Sequence, residues 1–96
     1  MFEGFWTVTL EKDVEAALVR RVKVLGGLCE KFTSPGRRSV PDRLVTMPNG
    51  QIIFVELKAP NKKPTDAQLK DHERRRALGC DVRVIDNKED ARAFTP

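Results

Sequence analysis

Ser39-Val40-Pro41-Asp42-Arg43-Leu44-Val45-Thr46-Met47, then Pro48-Asn49-Gly50, then Gln51-Ile52-Ile53-Phe54-Val55-Glu56-Leu57-Lys58, reads as strand, turn, strand. Two registers are open. If Pro48, Asn49 and Gly50 form a three-residue loop, with Gly50 supplying the left-handed position, Met47 pairs with Gln51 and Asp42 falls opposite Glu56. A two-residue Asn-Gly loop would put Asp42 opposite Leu57, on the other face of the sheet. The hydrophobic pattern fits both, and we take the three-residue register. Cross-strand partners share a face, and so do residues two apart on one strand, so Lys58 joins Asp42 and Glu56.

Outward from this hairpin, the pattern gives helix, three strands, helix, strand, helix. A helix is expected from about Glu11 to Leu25, stopping at Gly26-Gly27, with Val14, Leu18, Val22 and Leu25 as its buried stripe. Leu28 to Thr33 reads as a strand, and Ser34 to Ser39 as a loop. After the hairpin, Asn61-Lys62-Lys63-Pro64 is a basic linker. A second helix opens at Thr65-Asp66-Ala67-Gln68 and ends near Gly79. Asp81 to Asp86 is a last strand, and Asn87 to Phe94 a closing helical turn. A short first strand over Phe5 to Leu10 is also expected. We see no repeats, no low-complexity segment and no internal boundary, so residues 1–96 are expected to form a single domain.

Ninety-six residues with an apolar fraction of 40% suffice for one modest core. No apolar run approaches the ~20 residues that span a bilayer. The start, Met1-Phe2-Glu3-Gly4-Phe5-Trp6, lacks the order of a signal peptide, so a soluble, cytoplasmic chain is expected. Cys29 and Cys80, far apart in sequence, read as buried free thiols rather than a disulfide or a zinc site. The net charge of +4 hides clusters at Arg20-Arg21 with Lys23, at Arg37-Arg38, at Lys62-Lys63 and at Arg74-Arg75-Arg76. Such clusters on a small protein are commonly a solvated face, but here they flank carboxylates and so point to a polyanion.

Asp42 and Glu56 on one sheet face suit a divalent cation. Magnesium takes six oxygen ligands and keeps several waters, so two carboxylates are enough to hold it, and the backbone carbonyl of Leu57 could add a third oxygen. A cation there would polarise a phosphate and activate water, while Lys58 could orient that water and offset developing charge. The plainer alternative is an ion pair on a solvated sheet face. Ile52 and Phe54 share that face, which argues against it. Glu11 falls at the head of the buried helical stripe, closer to its centre than Glu15, though a first-turn acid is also favoured by the helix dipole. Gln68 has an ordinary role as the third helical residue of a Thr65-x-x-Gln68 capping box. His72, one turn beyond, reads as a satisfied surface or half-buried imidazole rather than a ligand of a hard cation.

Taken together, these residues resemble a VRR-NUC domain, the virus-type replication-repair nuclease family of the PD-(D/E)XK superfamily. The matching stretches are Glu11-Lys12-Asp13-Val14, Gly26-Gly27, Lys31 to Gly36, Val40-Pro41-Asp42-Arg43, Phe54-Val55-Glu56-Leu57-Lys58, Thr65-x-x-Gln68 and Leu78 to Ile85. They span nearly the whole chain in the family's order. One mild departure is Ser39, at the position of the family's usual small residue before Val-Pro-Asp. The resemblance implies an α/β fold with an α-β-β-β-α-β core, a mixed sheet flanked by helices, and a divalent-metal nuclease site acting on DNA. It places Glu11, Asp42, Glu56 and Lys58 at the family's acidic and lysine positions and Gln68 at its helix glutamine. Stand-alone members of this size resemble phage-type Holliday junction resolvases that work as homodimers in a bacterial cell or phage-infected host. Members fused to larger proteins act on flaps.

The reading is therefore an Mg²⁺- or Mn²⁺-dependent DNA endonuclease, structure-selective on branched DNA. Asp42, Glu56, the Leu57 carbonyl and, through water, Glu11 would hold the metal; Arg37, Arg38, Lys62, Lys63, Arg74, Arg75 and Arg76 would contact DNA. Phe2, Phe5 and Trp6 offer apolar surface for a homodimer. A nicking or flap nuclease, and a non-catalytic DNA-binding module of the same fold, are the alternatives.

Overall fold

The computed structural model describes residues 8–96. Helix α1 (Glu11–Val24) leads to strands β1 (Leu28–Lys31), β2 (Arg43–Thr46) and β3 (Ile52–Leu57). Helix α2 (Asp66–Ala77), strand β4 (Asp81–Ile85) and a short helix α3 (Lys88–Arg92) complete the order read from the pattern. The four strands form one mixed sheet in the order β1-β2-β3-β4, with β1, β2 and β3 antiparallel and β4 parallel to β3. This is the α/β arrangement, a mixed sheet with flanking helices, that the resemblance implied.

The hairpin takes the three-residue register. Val45 pairs with Ile53 and Thr46 with Ile52, and the Met47 N–H donates to the Gln51 carbonyl at 2.9 Å. Gly50 has φ +84°. Its N–H donates back to Met47 at 2.8 Å, and the Asn49 side-chain oxygen accepts the Gln51 N–H at 3.0 Å. The two-residue alternative is excluded by this pairing, and the ladder extrapolates to Asp42 opposite Glu56.

Alternation along β3 then divides the molecule. Ile53, Val55 and Leu57 point into a core with Val14, Ala17, Leu18 and Val22 of α1, Val45 and Met47 of the hairpin, and Ile85, Ala91 and Phe94. Phe54 and Glu56 point to the other face, toward α2. Helix α1 ends where glycine permits: Gly26 adopts φ +83° and the Gly27 N–H closes on the Val22 carbonyl at 2.9 Å. Gly27 answers a different demand. A Cβ there would sit 2.7 Å from the Thr46 carbonyl oxygen and 3.0 Å from both Met47 Sδ and Val22 Cγ1, so only a hydrogen fits.

Helix α2 attaches by polar means. Its buried residues are Asp71 and His72, while its one large apolar residue, Leu69, is 43% exposed. Arg75 lies over the rings of Phe32 and Phe54, at 5.2 and 4.8 Å, and donates to Asp71 Oδ2 at 2.7 Å. Arg76 donates through two nitrogens to the Val82 carbonyl on edge strand β4, at 3.2 and 2.7 Å.

Several expected boundaries move. The expected strand over Phe5 to Leu10 lies partly outside the described residues, and Val8 to Leu10 are not strand. The strand from Leu28 stops at Lys31 rather than Thr33, although the Phe32 N–H still reaches the Asp42 carbonyl at 2.9 Å. Regular pairing on the next strand begins only at Arg43, because Pro41 has no N–H to offer a ladder. Cys29 and Cys80 are free, as expected, but only partly buried.

Candidate active site

The site forms where the end of β3 meets the segment entering β2 and the first turns of α2. Asp42 Oδ2 accepts the backbone N–H of Leu57 at 2.7 Å, which ties the carboxylate of one strand to the backbone of the next. Glu56, opposite in the ladder, is 1% exposed, so it does not lie on a solvated face. Its carboxyl is pushed up to about 8, first by burial and then by the charge of Asp42 and a hydrogen bond with it, which Lys58 only partly offsets. The Lys58 Nζ stands 3.6 Å from Glu56 Oε2.

Gln68 serves two roles at once. The Thr65 hydroxyl accepts the Gln68 N–H at 3.2 Å and Gln68 Oε1 accepts the Thr65 N–H at 2.9 Å, completing the capping box. Committing the amide oxygen to the cap leaves the amide nitrogen turned toward the sheet, where it donates to Glu56 Oε2 at 3.1 Å. The cap thus orients the side chain that steadies Glu56.

Glu56 Oε1 is buried without a hydrogen-bond partner. His72 Nε2 stands 3.6 Å from it, beyond hydrogen-bond reach. His72 corrects the sequence reading. It is wholly buried, neither ring nitrogen is hydrogen-bonded, and burial followed by the Arg76 charge holds its imidazole below the ordinary range. A satisfied surface histidine it is not. Polarity alone gave no signal of this, since α2 has no apolar stripe from which to find its buried side.

Glu11 also departs from expectation. It is exposed rather than buried, at the end of α1 where the stripe emerges. Its carboxyl is nevertheless raised, by partial desolvation first and then by the charge of Asp42. Glu15 is committed elsewhere: its carboxylate pairs with Arg43 at 3.0 Å, and Arg43 also donates to the Cys29 carbonyl at 2.9 Å.

The donor set fits a hard divalent cation. Two adjacent carboxylates, one of them buried, pushed up toward its neutral form and with an oxygen lacking any hydrogen-bond partner, are the chemistry such an ion satisfies. Among the described residues, no group of three or more His, Cys, Asp or Glu side chains is set to hold a metal. Holding one here would therefore draw on backbone oxygen and water beside the Asp42–Glu56 pair. Of the expected DNA contacts, Arg37, Arg38, Lys62, Lys63, Arg74 and Arg76 are exposed. Arg75 and Arg76 have their guanidinium groups occupied by Asp71, the two phenylalanines and Val82. No helix among the described residues is long and apolar enough to cross a membrane.

Known proteins bear on this arrangement. No protein-family profile matches the sequence. A protein of Acyrthosiphon pisum secondary endosymbiont phage 1, named "Putative nuclease p44", is 56% identical over 79 residues, covering 82% of this chain and 85% of that protein. A solved structure described as a VRR_NUC domain superposes with a TM-score of 0.81 at 40% identity, over 86% of this chain and 90% of that one. With that identity and coverage on a shared fold, the chain belongs to the VRR-NUC nuclease family, in its phage-type form.

Proposed function

We propose that this nuclease is an Mg²⁺- or Mn²⁺-dependent DNA endonuclease, selective for branched DNA and acting as a homodimer. The observation that carries the metal dependence is the buried Glu56 carboxylate, one oxygen unpartnered, beside Asp42 and 3.6 Å from Lys58. Asp42, Glu56, the Leu57 carbonyl and, through water, Glu11 would hold the ion. When bound, it would polarise the scissile phosphate and stabilise developing charge.

The chain's own residues supply the rest. Lys58 holds a positive charge beside the reacting phosphate and orients the attacking water. Gln68 keeps Glu56 in one rotamer through its amide N–H. The Leu57 N–H keeps Asp42 in place without consuming its second oxygen. A DNA-binding module would have no use for a carboxylate pair aimed at phosphates, which favours the catalytic reading. The exposed Arg37, Arg38, Lys62, Lys63 and Arg74 would track the backbone, with each phosphate they neutralise releasing counterions. Branch selectivity requires two sites in fixed relation, and a symmetric dimer of so small a chain provides them most simply.

The test is a cleavage assay on a labelled four-way junction and on linear duplex of the same sequence, with Mg²⁺, with Mn²⁺ and with chelator. Metal-dependent cutting that favours the junction is expected. Sedimentation across a tenfold concentration range should report about twice the chain mass. A monomer that cuts duplex and junction alike would remove the resolvase-like part of the proposal, and cutting in chelator would remove the metal.

A further inference from the structure

A second concavity, of about 240 Å³, lies beside the site, across α2. Its helical wall is the stripe Ala67, Lys70, Asp71 and Arg74, spaced as neighbours on one helix face, and its opposite wall is the loop carrying Arg37 and Arg38. Four cations therefore line it against one carboxylate. That carboxylate is not free to oppose an anion: Asp71, 3% exposed, is bonded to Arg37 at 3.3 Å and to Arg75 at 2.7 Å. Buried Asp71 instead holds the half-exposed Arg37 guanidinium at the wall, while Arg38, Lys70 and Arg74 make no ion pair among the described residues.

We propose that this pocket is a phosphate subsite, which holds one backbone phosphodiester of the DNA strand beside the carboxylate site. The inference rests on the reading of DNA as substrate. Two connections tie the pocket to the site. Arg37 and Arg38 lie on the segment that leads into Asp42, and α2 joins the two places, with Gln68 and His72 on the side facing Glu56 and Lys70 and Arg74 on the far side. A phosphate held there would fix the strand's position relative to Glu56, with Arg37 prepared for it by Asp71 and Lys70 acting as a mobile point charge.

The experiment uses the full chain without divalent metal. Inorganic phosphate is titrated at constant ionic strength while backbone amide shifts are followed by NMR. Saturable shifts at residues 37–39 and 67–74 are expected, and they should vanish in the Lys70→Ala/Arg74→Ala double variant. In the same variant, affinity for duplex DNA should fall about tenfold at low salt, and the slope of its salt dependence should flatten by about 0.9 for each phosphate no longer neutralised. That loss should be equal for 5′-phosphorylated and 5′-hydroxyl DNA. An effect confined to phosphorylated ends would overturn the backbone assignment. Absent saturation, or an unchanged salt dependence, would overturn the subsite. All readouts are of binding, so their failure leaves the nuclease reading standing, and their success in an inert protein would leave the subsite standing alone.

Discussion

Asp42 Oδ2 accepts the backbone N–H of Leu57 at 2.7 Å, so the first carboxylate of the site is fastened to the strand that carries the second. The separation of the two carboxylates is then set by the hairpin ladder and not by the loop that precedes Asp42. This has consequences for what each substitution should do.

Asp42→Ala and Glu56→Ala should each abolish cleavage while DNA affinity holds or rises, because a charge that repels phosphate is removed. Asp42→Ala also leaves the Leu57 N–H without its acceptor, at a cost of about 1–3 kcal/mol if water does not replace it. Cleavage assays paired with DNA titration check both. Robust metal-dependent cutting by either purified variant would contradict the site.

Stability of the metal-free protein should fall as pH rises. Glu56 has an ordinary value of 4.5 and sits at about 8 in the fold. Between those values the folded chain keeps a proton that the unfolded chain has released. The contribution is therefore complete below about pH 4.5 and lost as pH rises through about 8. Thermal melts in chelator from about pH 5.5 to 8.5 should show the decline, with about 4–8 °C of Tm for each kcal/mol. Glu56→Gln should remove this slope, and Mg²⁺ should oppose it by favouring the ionised form.

Lys58→Ala should lower the cleavage rate by about 10²-fold or more with an unchanged metal requirement, the scale of one preorganised charge. Glu11→Gln should instead raise the Mn²⁺ concentration needed, so that excess Mn²⁺ restores part of the rate. Glu15→Gln is the control. Its partner is Arg43, and it should alter stability by about 1 kcal/mol or less without moving the metal response.

Gln68→Glu separates the two duties of that side chain. A glutamate still accepts the Thr65 N–H, so the cap and the circular-dichroism signal of α2 should persist. It cannot donate to Glu56, so cleavage should drop. Equal loss of helix and activity would mean that the glutamine acts only as a cap.

Gly27→Ala should destabilise by about 1–3 kcal/mol, since the added methyl would meet the Thr46 carbonyl at 2.7 Å with no room to relax. Its φ is not in the left-handed region, which makes the effect one of space. Denaturant melts against Gly36→Ala, where a Cβ meets nothing within 4 Å but φ is +76°, would distinguish crowding from backbone strain.

The hairpin and α1 were legible because their chemistry is periodic. Val14, Leu18 and Val22 are all buried, and the Asn49-Gly50 turn closes as a three-residue loop should. The pattern could not choose between loop lengths, because both leave apolar residues on each face of β3. Helix α2 was legible at its cap and opaque along its length. Its buried side is Asp71 and His72; Asp71 pairs with Arg75 one turn on, and Arg75 packs over Phe32 and Phe54, which are far away in sequence. Glu11 was found for a reason that only half applies: it stands at the head of the stripe, but it is exposed to solvent while the charge of Asp42 still raises its carboxyl.

The capping box at Thr65 makes readiness for chemistry a matter of local rather than global stability. Thr65, Asp66 and Ala67 are exposed, and helix ends open far more often than sheets do. Each time that first turn frays, Gln68 loses the bond that aims its amide, and Glu56 loses its donor while Asp42 stays fastened to Leu57. On the proposed roles of Gln68 and Glu56, opening of that one turn would be enough to lower activity while the sheet stays folded.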